Sequence, residues 1–346
     1  MPKFIAYVAE KSYRDYSMER CIVEDAGGEL RFAQCSTERD VVEQCSDAHA
    51  LLLRQTPVGE MVFRHLKSLK VISRYGVGYD NVDVAAATRH GVLVTIVPDY
   101  CIGEVADHTI ALLFAGIRHI PLRDGLVRRG AWDITYHRPV HRTSNRILGL
   151  VGYGKTAREV RKRLSGFPFR FVACDPYIPD SAFEEDKTGK LDFNRLVLVS
   201  HYISIHVPLN RETRHLFNLP VFRRMRRSAI LINTSRGPIV DNRALTTALK
   251  KGYIAGAALD VLEEEPLDWA NPLRHLDSVI LSDHAAWYSE ESQKELQQRT
   301  AQEALRVLRG ETPENPVNPE VLSTRILSME RKRKKYGEEL LYKLSN

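Results

Sequence analysis

No apolar run in these 346 residues approaches the roughly 20 that a membrane-spanning helix needs, and the opening MPKFIAYVAEKSYRD lacks the charged-then-apolar pattern of a secretory leader. Cysteine is sparse. The five present (Cys21, Cys35, Cys45, Cys101 and Cys174) are odd in number and show no C-x-x-C spacing, so neither a disulfide framework nor a zinc site is suggested. Excess charge is also slight, at a formal +6, and much of it sits in Arg223–Arg227 (RRMRR) and Arg331–Lys335 (RKRKK). Without a recognised binding motif around them, these runs read as solvated helix faces, which makes nucleic acid an unlikely partner. The expectation is a soluble cytoplasmic protein with no membrane or metal role.

The length exceeds that of a usual single domain, so two domains are expected. Apolar runs at 4–8, 50–53, 70–73 and 93–97 alternate with helical candidates, the pattern of a parallel sheet covered by helices. Residues 104–119 (EVADHTIALLFAGIRH) are too densely apolar for a surface helix and read as a buried helix crossing from the first domain to the second. Strand candidates resume at 147–151, 169–174, 202–205, 229–233, 254–259 and 279–282, giving a doubly wound sheet. An amphipathic helix over 290–309 follows, and the prolines of PENPVNPE at 313–320 end it and return the chain to the first domain. The boundaries are 1–100 with 290–323 for the first domain, 101–289 for the second, and 324–346 for a basic helical extension.

The most informative stretch is LGLVGYGKTAREV at 148–160, a strand, a tight turn and a helical segment over 156–164. Gly152, Gly154 and Ala157 make a G-x-G-x-x-A turn. The first glycine allows a sharp bend, the second a close approach to a pyrophosphate, and the small third residue close packing of helix on strand. Phosphates would then rest on unpaired helix N–H groups contributed around Tyr153, Lys155 and Thr156. Asp175 ends the next apolar run, 21 residues beyond Gly154, where a carboxylate accepts hydrogen bonds from ribose hydroxyls and repels a 2′-phosphate. NAD(H) is therefore predicted over NADP(H). The plainer reading of Asp175 is a turn residue before Pro176.

Three later residues suit the oxidation of a 2-hydroxy acid. Arg236 (INTSRGPIVD) offers a planar, always charged fork to a carboxylate. His284 (LSDHAAW) is a candidate base for the hydroxyl proton, since imidazole titrates near neutral pH. Glu265 (LDVLEEEP), if bonded to that ring, would favour its protonated form. Each alone has a plain explanation: a cap, one of three consecutive glutamates, a turn histidine. Their placement argues otherwise, because Arg236, Asp260 and His284 each follow an apolar run and so lie at carboxyl ends of strands in one sheet, where open α/β sheets bind ligands.

Taken in order, RYGVGYDNVD at 74–83, GEVADHTIALL at 103–113, the glycine turn, HVPLNRETRHLFN at 206–218, INTSRGPIVDNRAL at 232–245, GAALDVLEEEP at 256–266 and HAAWYSEES at 284–292 resemble the D-isomer-specific 2-hydroxyacid dehydrogenases over roughly 45–318. The resemblance implies an α/β fold of two domains, a Rossmann-type NAD-binding domain inserted into a flavodoxin-like substrate domain, in a homodimer whose interface includes the helix after residue 103. It implies that Arg236 holds the substrate carboxylate with the backbone of Val77 and Gly78, that His284 is the acid/base, and that Glu265 is its partner. Val207, Pro208, Thr213, Thr234, Ser235, Asp260 and Ala286 correspond to further cofactor contacts.

HAAWYSE also resembles the C-terminal binding protein branch, dehydrogenase-like corepressors with many bacterial enzyme relatives, and there Trp287 would wall the substrate pocket. Glu265 argues against the formate-oxidising branch, which carries glutamine at that position. Asp283 departs from the usual proline, and its carboxylate would either favour a charged His284 or point to solvent. Arg54, Arg74 and Tyr75 are candidates for the far end of the substrate. The expected function is an NAD-dependent 2-hydroxyacid dehydrogenase or 2-oxoacid reductase; the alternative is an NAD(H)-sensing interaction module.

Overall fold

The computed structural model describes residues 2–134 and 139–323, so the basic tail expected from Thr324, with Arg331–Lys335, lies outside the described residues. Two compact units result, Met1–Tyr100 with Glu290–Asn346, and Cys101–Ser289.

The first unit carries five parallel strands: β1 (Ile5–Val8), β2 (Glu29–Phe32), β3 (Ala50–Leu53), β4 (Val71–Arg74) and β5 (Leu93–Thr95). Their order, β2-β1-β3-β4-β5, is that of the flavodoxin-like doubly wound sheet. All of β3 and β5 is buried, so both read as unbroken apolar runs: β3 is a central strand covered on both faces, and β5, the last strand of the sheet, is covered along its outer side as well. β2 gave no such signal, because ELRF alternates charged and apolar residues at an edge paired only to β1. The helix Glu290–Arg309 packs behind this sheet through Ser73 Oγ, which donates to the Thr300 carbonyl at 2.8 Å. Beyond it, Val317 N–H donates to Val94 O at 2.8 Å, and the buried Asn318 side chain accepts from Val94 N–H and donates to Val92 O. The proline-rich segment therefore closes the edge of β5.

The second unit holds seven parallel strands: β6 (Ile147–Val151), β7 (Arg170–Cys174), β8 (Gly189–Lys190), β9 (Tyr202–Ile205), β10 (Ile230–Asn233), β11 (Gly256–Leu259) and β12 (Val279–Leu281). The order β12-β11-β10-β9-β6-β7-β8 reverses direction between β6 and β9. That reversal is the switch point of a Rossmann-type sheet, where the loops leaving two neighbouring strands part and open a crevice. β8 is two residues long and left no periodic trace.

The apolar helix expected over 104–119 spans Ile102–Arg118. It lies wholly within the second unit rather than crossing from the first, because Leu112, Leu113 and Ile117 pack into one core with Leu148, Leu150, Val160 and Ile230. His119 then takes a left-handed backbone and starts a helix, Ile120–Arg128, that buries none of its own residues.

Candidate active site

The crevice begins at the glycine turn. Gly152 has φ +88°, and a Cβ there would stand 2.8 Å from the His206 carbonyl carbon and 2.9 Å from Val207 N, so the fold itself demands glycine. Gly154 differs. Its φ of −76° suits any residue, and a Cβ would meet nothing within 4 Å. Among the described residues nothing requires glycine at 154, which leaves the surface above it clear for a ligand to touch backbone. The helix Lys155–Arg163 starts there, with its first-turn N–H groups lacking intrahelical acceptors, so the turn fits a dinucleotide pyrophosphate. Ala157, fully buried, packs this helix on the sheet.

Asp175 closes the turn from the end of β7. One carboxylate oxygen accepts from Tyr153 N–H at 2.8 Å and the other from Tyr177 N–H at 2.9 Å, while each keeps a second lone pair for a hydroxyl donor. The expectation for Tyr153 needs correction. Its ring is fully buried against Phe183, with centroids 4.6 Å apart, and its hydroxyl bonds to Asp186 and Thr188 at 2.9 Å each. Burial pushes this phenol up to about 12. Tyr153 is therefore a core residue by its side chain, and its N–H is already committed to Asp175.

Other expected cofactor contacts form the rim of the crevice. Lys155 is exposed and Thr156 half-buried. Thr213 Oγ1 donates to the Pro208 carbonyl at 2.6 Å, folding Val207–Thr213 into a closed turn. Ser235 Oγ donates to Val207 O, and Thr234 Oγ1 bonds Thr109 Oγ1 at 2.8 Å, so both hydroxyls hold loops in place.

The three spaced residues converge at the carboxyl edge of β10, β11 and β12. His284 Nδ1 donates to Glu265 Oε2 at 2.7 Å, which leaves Nε2 as the ring nitrogen available for a substrate hydroxyl. Glu265 Oε1 accepts from Leu262 N–H at 2.9 Å. Burial would raise the Glu265 carboxyl, but the hydrogen bond and charge of His284, the Leu262 N–H and the charge of Arg236 outweigh it and hold it below the ordinary carboxylate range. Arg236 begins the turn Gly237–Ile239, and its Nη1 donates to Ser235 O at 2.8 Å. A Cβ on Gly237 would fall 1.8 Å from the Leu262 carbonyl oxygen, so the chain segments bearing Arg236 and Glu265 lie in direct backbone contact.

Asp260 also holds the loop that carries His284. It is 1 % exposed, and its carboxylate accepts from Ser282 Oγ at 2.6 Å, Ala285 N–H at 2.9 Å and Ala286 N–H at 3.0 Å, with His108 Nε2 at 3.4 Å. Burial alone would raise this group; the hydrogen bonds from His108, Ser282, Ala286 and Ala285 win and lower it. Its own carbonyl accepts from His284 N–H at 2.8 Å. Asp260 thus grips the backbone on which His284 sits at φ +59°, a left-handed conformation costly to a residue with a Cβ. Ala286 is 3 % exposed and offers its N–H to Asp260. Trp287 is half-buried with its ring edge-on to Tyr288 at 5.7 Å, and Asp283 is exposed.

In the first unit, Val77 is 41 % exposed just past β4, and Gly78 is half-buried. Arg54 follows β3, its N–H donated at 3.0 Å to Glu10 Oε1; the Glu10 carboxylate also takes Thr56 N–H at 2.6 Å, a clamp that no sequence pattern signalled. Tyr75 does not face a ligand. It is 2 % exposed, and its hydroxyl donates at 3.0 Å to Glu19, a fully buried carboxyl that burial pushes upward and that also takes Gln297 Nε2 at 2.9 Å.

Comparisons with known proteins identify the family. Residues 110–286 match the family model described as "D-isomer specific 2-hydroxyacid dehydrogenase, NAD binding domain". A glyoxylate reductase of Korarchaeum cryptofilum is 38% identical over 293 residues, covering 84% of this chain and 88% of its own. A D-3-phosphoglycerate dehydrogenase of Methanocaldococcus jannaschii is 39% identical over 293 residues, 84% of this chain but 56% of its own length. The crystal structure of a glyoxylate reductase from Paecilomyes thermophila superposes with a TM-score of 0.82 at 25% identity, covering 92% of this chain and 100% of the other.

Proposed function

The chain belongs to the D-isomer-specific 2-hydroxyacid dehydrogenase family and is an NAD-dependent oxidoreductase acting on the CH–OH group of 2-hydroxy acids; from that premise we propose that Arg236, Glu265 and His284 are its working residues. The observation that carries this reading is the 2.7 Å bond from His284 Nδ1 to Glu265, with the charge of Arg236 acting on the same carboxylate.

Bound NAD(H) supplies the hydride acceptor or donor; Gly152, Gly154, Lys155, Thr156 and Asp175 would hold it, with the rim Val207–Thr213 and Thr234–Ser235. Arg236 pairs its guanidinium with the substrate carboxylate, which orients the neighbouring carbon. His284 Nε2 takes the hydroxyl proton during oxidation and returns it to the carbonyl oxygen during reduction. Glu265 fixes the ring orientation and stabilises the charged imidazolium, since its own carboxylate stays ionised.

In the first unit, which we assign as the substrate domain, the N–H groups of Val77 and Gly78 and the side chain of Arg54 are proposed as further substrate contacts. Trp287 is proposed to flank the substrate, and its HAAWYSE setting supports placing the chain in the C-terminal binding protein-like branch. The names of the relatives support a small 2-oxoacid such as glyoxylate. A homodimer is supported by the apolar surface of Ile120 (55 % exposed), Val127 (50 %), Trp132 (89 %) and Ile134 (83 %). The free cysteines support a reducing, cytoplasmic setting.

The test is NADH oxidation against a panel of 2-oxoacids. Glyoxylate or hydroxypyruvate should be reduced, with His284→Ala lowering kcat by about 10²–10⁴-fold and Arg236→Ala acting mainly through KM. Wild-type turnover by the histidine variant would overturn the assignment.

A further inference from the structure

Three glutamates stand in a row at 263–265, and the fold gives them separate duties. Glu265 turns to His284. Glu263, two residues earlier, turns to another histidine: His215 Nε2 and Glu263 Oε1 are 2.5 Å apart, while Glu263 Oε2 accepts Asn242 N–H at 3.2 Å. Asn242 is the first residue of the helix Asn242–Lys250, whose cap Asp241 serves Arg243 and Ala244 N–H, so the Glu263 carboxylate takes a first-turn N–H that the cap leaves over. His215 has a left-handed backbone and donates its own N–H to Pro238 O at 2.9 Å, and Phe217 N–H donates to Ile239 O at 3.1 Å. One carboxylate therefore joins the chain segments that follow β9, β10 and β11.

We propose that His215 and Glu263 form a second histidine–carboxylate pair that positions the loop presenting Glu265 to His284. This rests on the reading of Glu265 given above. A single residue, Glu264, separates the two anchored glutamates, so a shift of Glu263 is passed on to Glu265 almost undiminished. The pair also commits Glu263 elsewhere, which keeps it from competing for His284 and fixes which of the three carboxylates faces the reacting proton. Glu263 and His215 touch no reacting atom; they are positioning residues.

The test is a set of kinetic comparisons with NADH and glyoxylate, or hydroxypyruvate where that is turned over faster, each variant's folding being checked by thermal melting. Glu263→Ala should lower kcat by about 10-fold with the oxoacid KM held within about 2-fold, since misplacement by roughly 1 Å costs up to about 10²-fold. In a Glu265→Gln background the same substitution should change kcat by less than about 2-fold, because the residue it acts through is already altered. His215→Ala, at a side chain 41% exposed, should reproduce the effect, and His215→Gln, which keeps a donor near the Nε2 position, should restore most of it. The downfield Nδ1–H proton resonance of His284 should shift or broaden in Glu263→Ala.

Equal losses of kcat in both backgrounds, or a KM effect with kcat unchanged, would overturn the proposal while leaving Glu265 in place. Wild-type kcat in Glu265→Gln alone would instead remove the reading of Glu265, and this inference with it.

Discussion

Alanine at either glycine of the turn should have opposite consequences, and the structure sets the size of each. At Gly152 the left-handed φ of +88° costs a residue with a Cβ about 1–2 kcal/mol. The added carbon also lands 2.8 Å from the His206 carbonyl carbon and 2.9 Å from its oxygen, both backbone atoms beside the β6–β9 pair, so relief requires two central strands to part. Overpacking of that kind adds about 1–3 kcal/mol. The sum, about 2–5 kcal/mol, corresponds to a fall in melting temperature of about 4–20 °C at roughly 2–4 °C per kcal/mol. At Gly154, φ −76° and an empty surround make alanine neutral or stabilising by about 0.4–1 kcal/mol, since the unfolded chain loses freedom. The same methyl group would stand between a pyrophosphate and the helix N–H groups, weakening NADH binding by at least about 10-fold, or 1.4 kcal/mol. Circular-dichroism melting of the cofactor-free protein and NADH titration followed by intrinsic fluorescence separate the two effects. Gly154→Ala that melts as early as Gly152→Ala, or that binds NADH as tightly as wild type, would refute the division of labour.

Further outcomes follow from the carboxylates. Asp175→Ala should narrow the preference for NADH over NADPH, measured as the ratio of kcat/KM values; an unchanged ratio would show that selectivity lies elsewhere. Asp260→Ala strips acceptors from Ser282, Ala285 and Ala286, at about 1–3 kcal/mol for each donor left buried, and should lower kcat through the freed His284 backbone; a variant that melts lower but turns over normally would limit Asp260 to a structural role. Because the Glu265 carboxyl is held below its ordinary 4.5, its pairing stabilises the fold fully above that value and is lost as pH falls through the depressed one. Melting temperature against pH should therefore fall less steeply on the acid side in Glu265→Gln than in wild type, and parallel curves would contradict this.

What could be read in advance follows from how each feature is encoded. β9, β10 and β11 are buried along their whole length, and YISI, ILIN and GAAL stand out as apolar runs. β2 and β8, at sheet edges, carry charge or only two residues, and vanish into the background. The approach of His284 to Glu265 was legible because the resemblance pairs them, and because Asp260, five residues before Glu265, and His284 both follow strands of one sheet. The grip of Asp260 on Ala285 and Ala286, the clamp of Glu10 on Thr56 and the burial of Tyr153 were not, since bonds between loops 25 to 46 residues apart leave no period and no composition to detect. Tyr153 misled for a related reason: Gly154 and Lys155 beside it face solvent, and Phe183, Asp186 and Thr188, thirty or more positions on, draw the ring inward.

The left-handed backbone at 284 sets durability against turnover. Glycine is the amino acid that loop would accept most cheaply, so selection for heat resistance alone would favour erasing the imidazole, and its presence there is accounted for only by the proton transfer proposed for it.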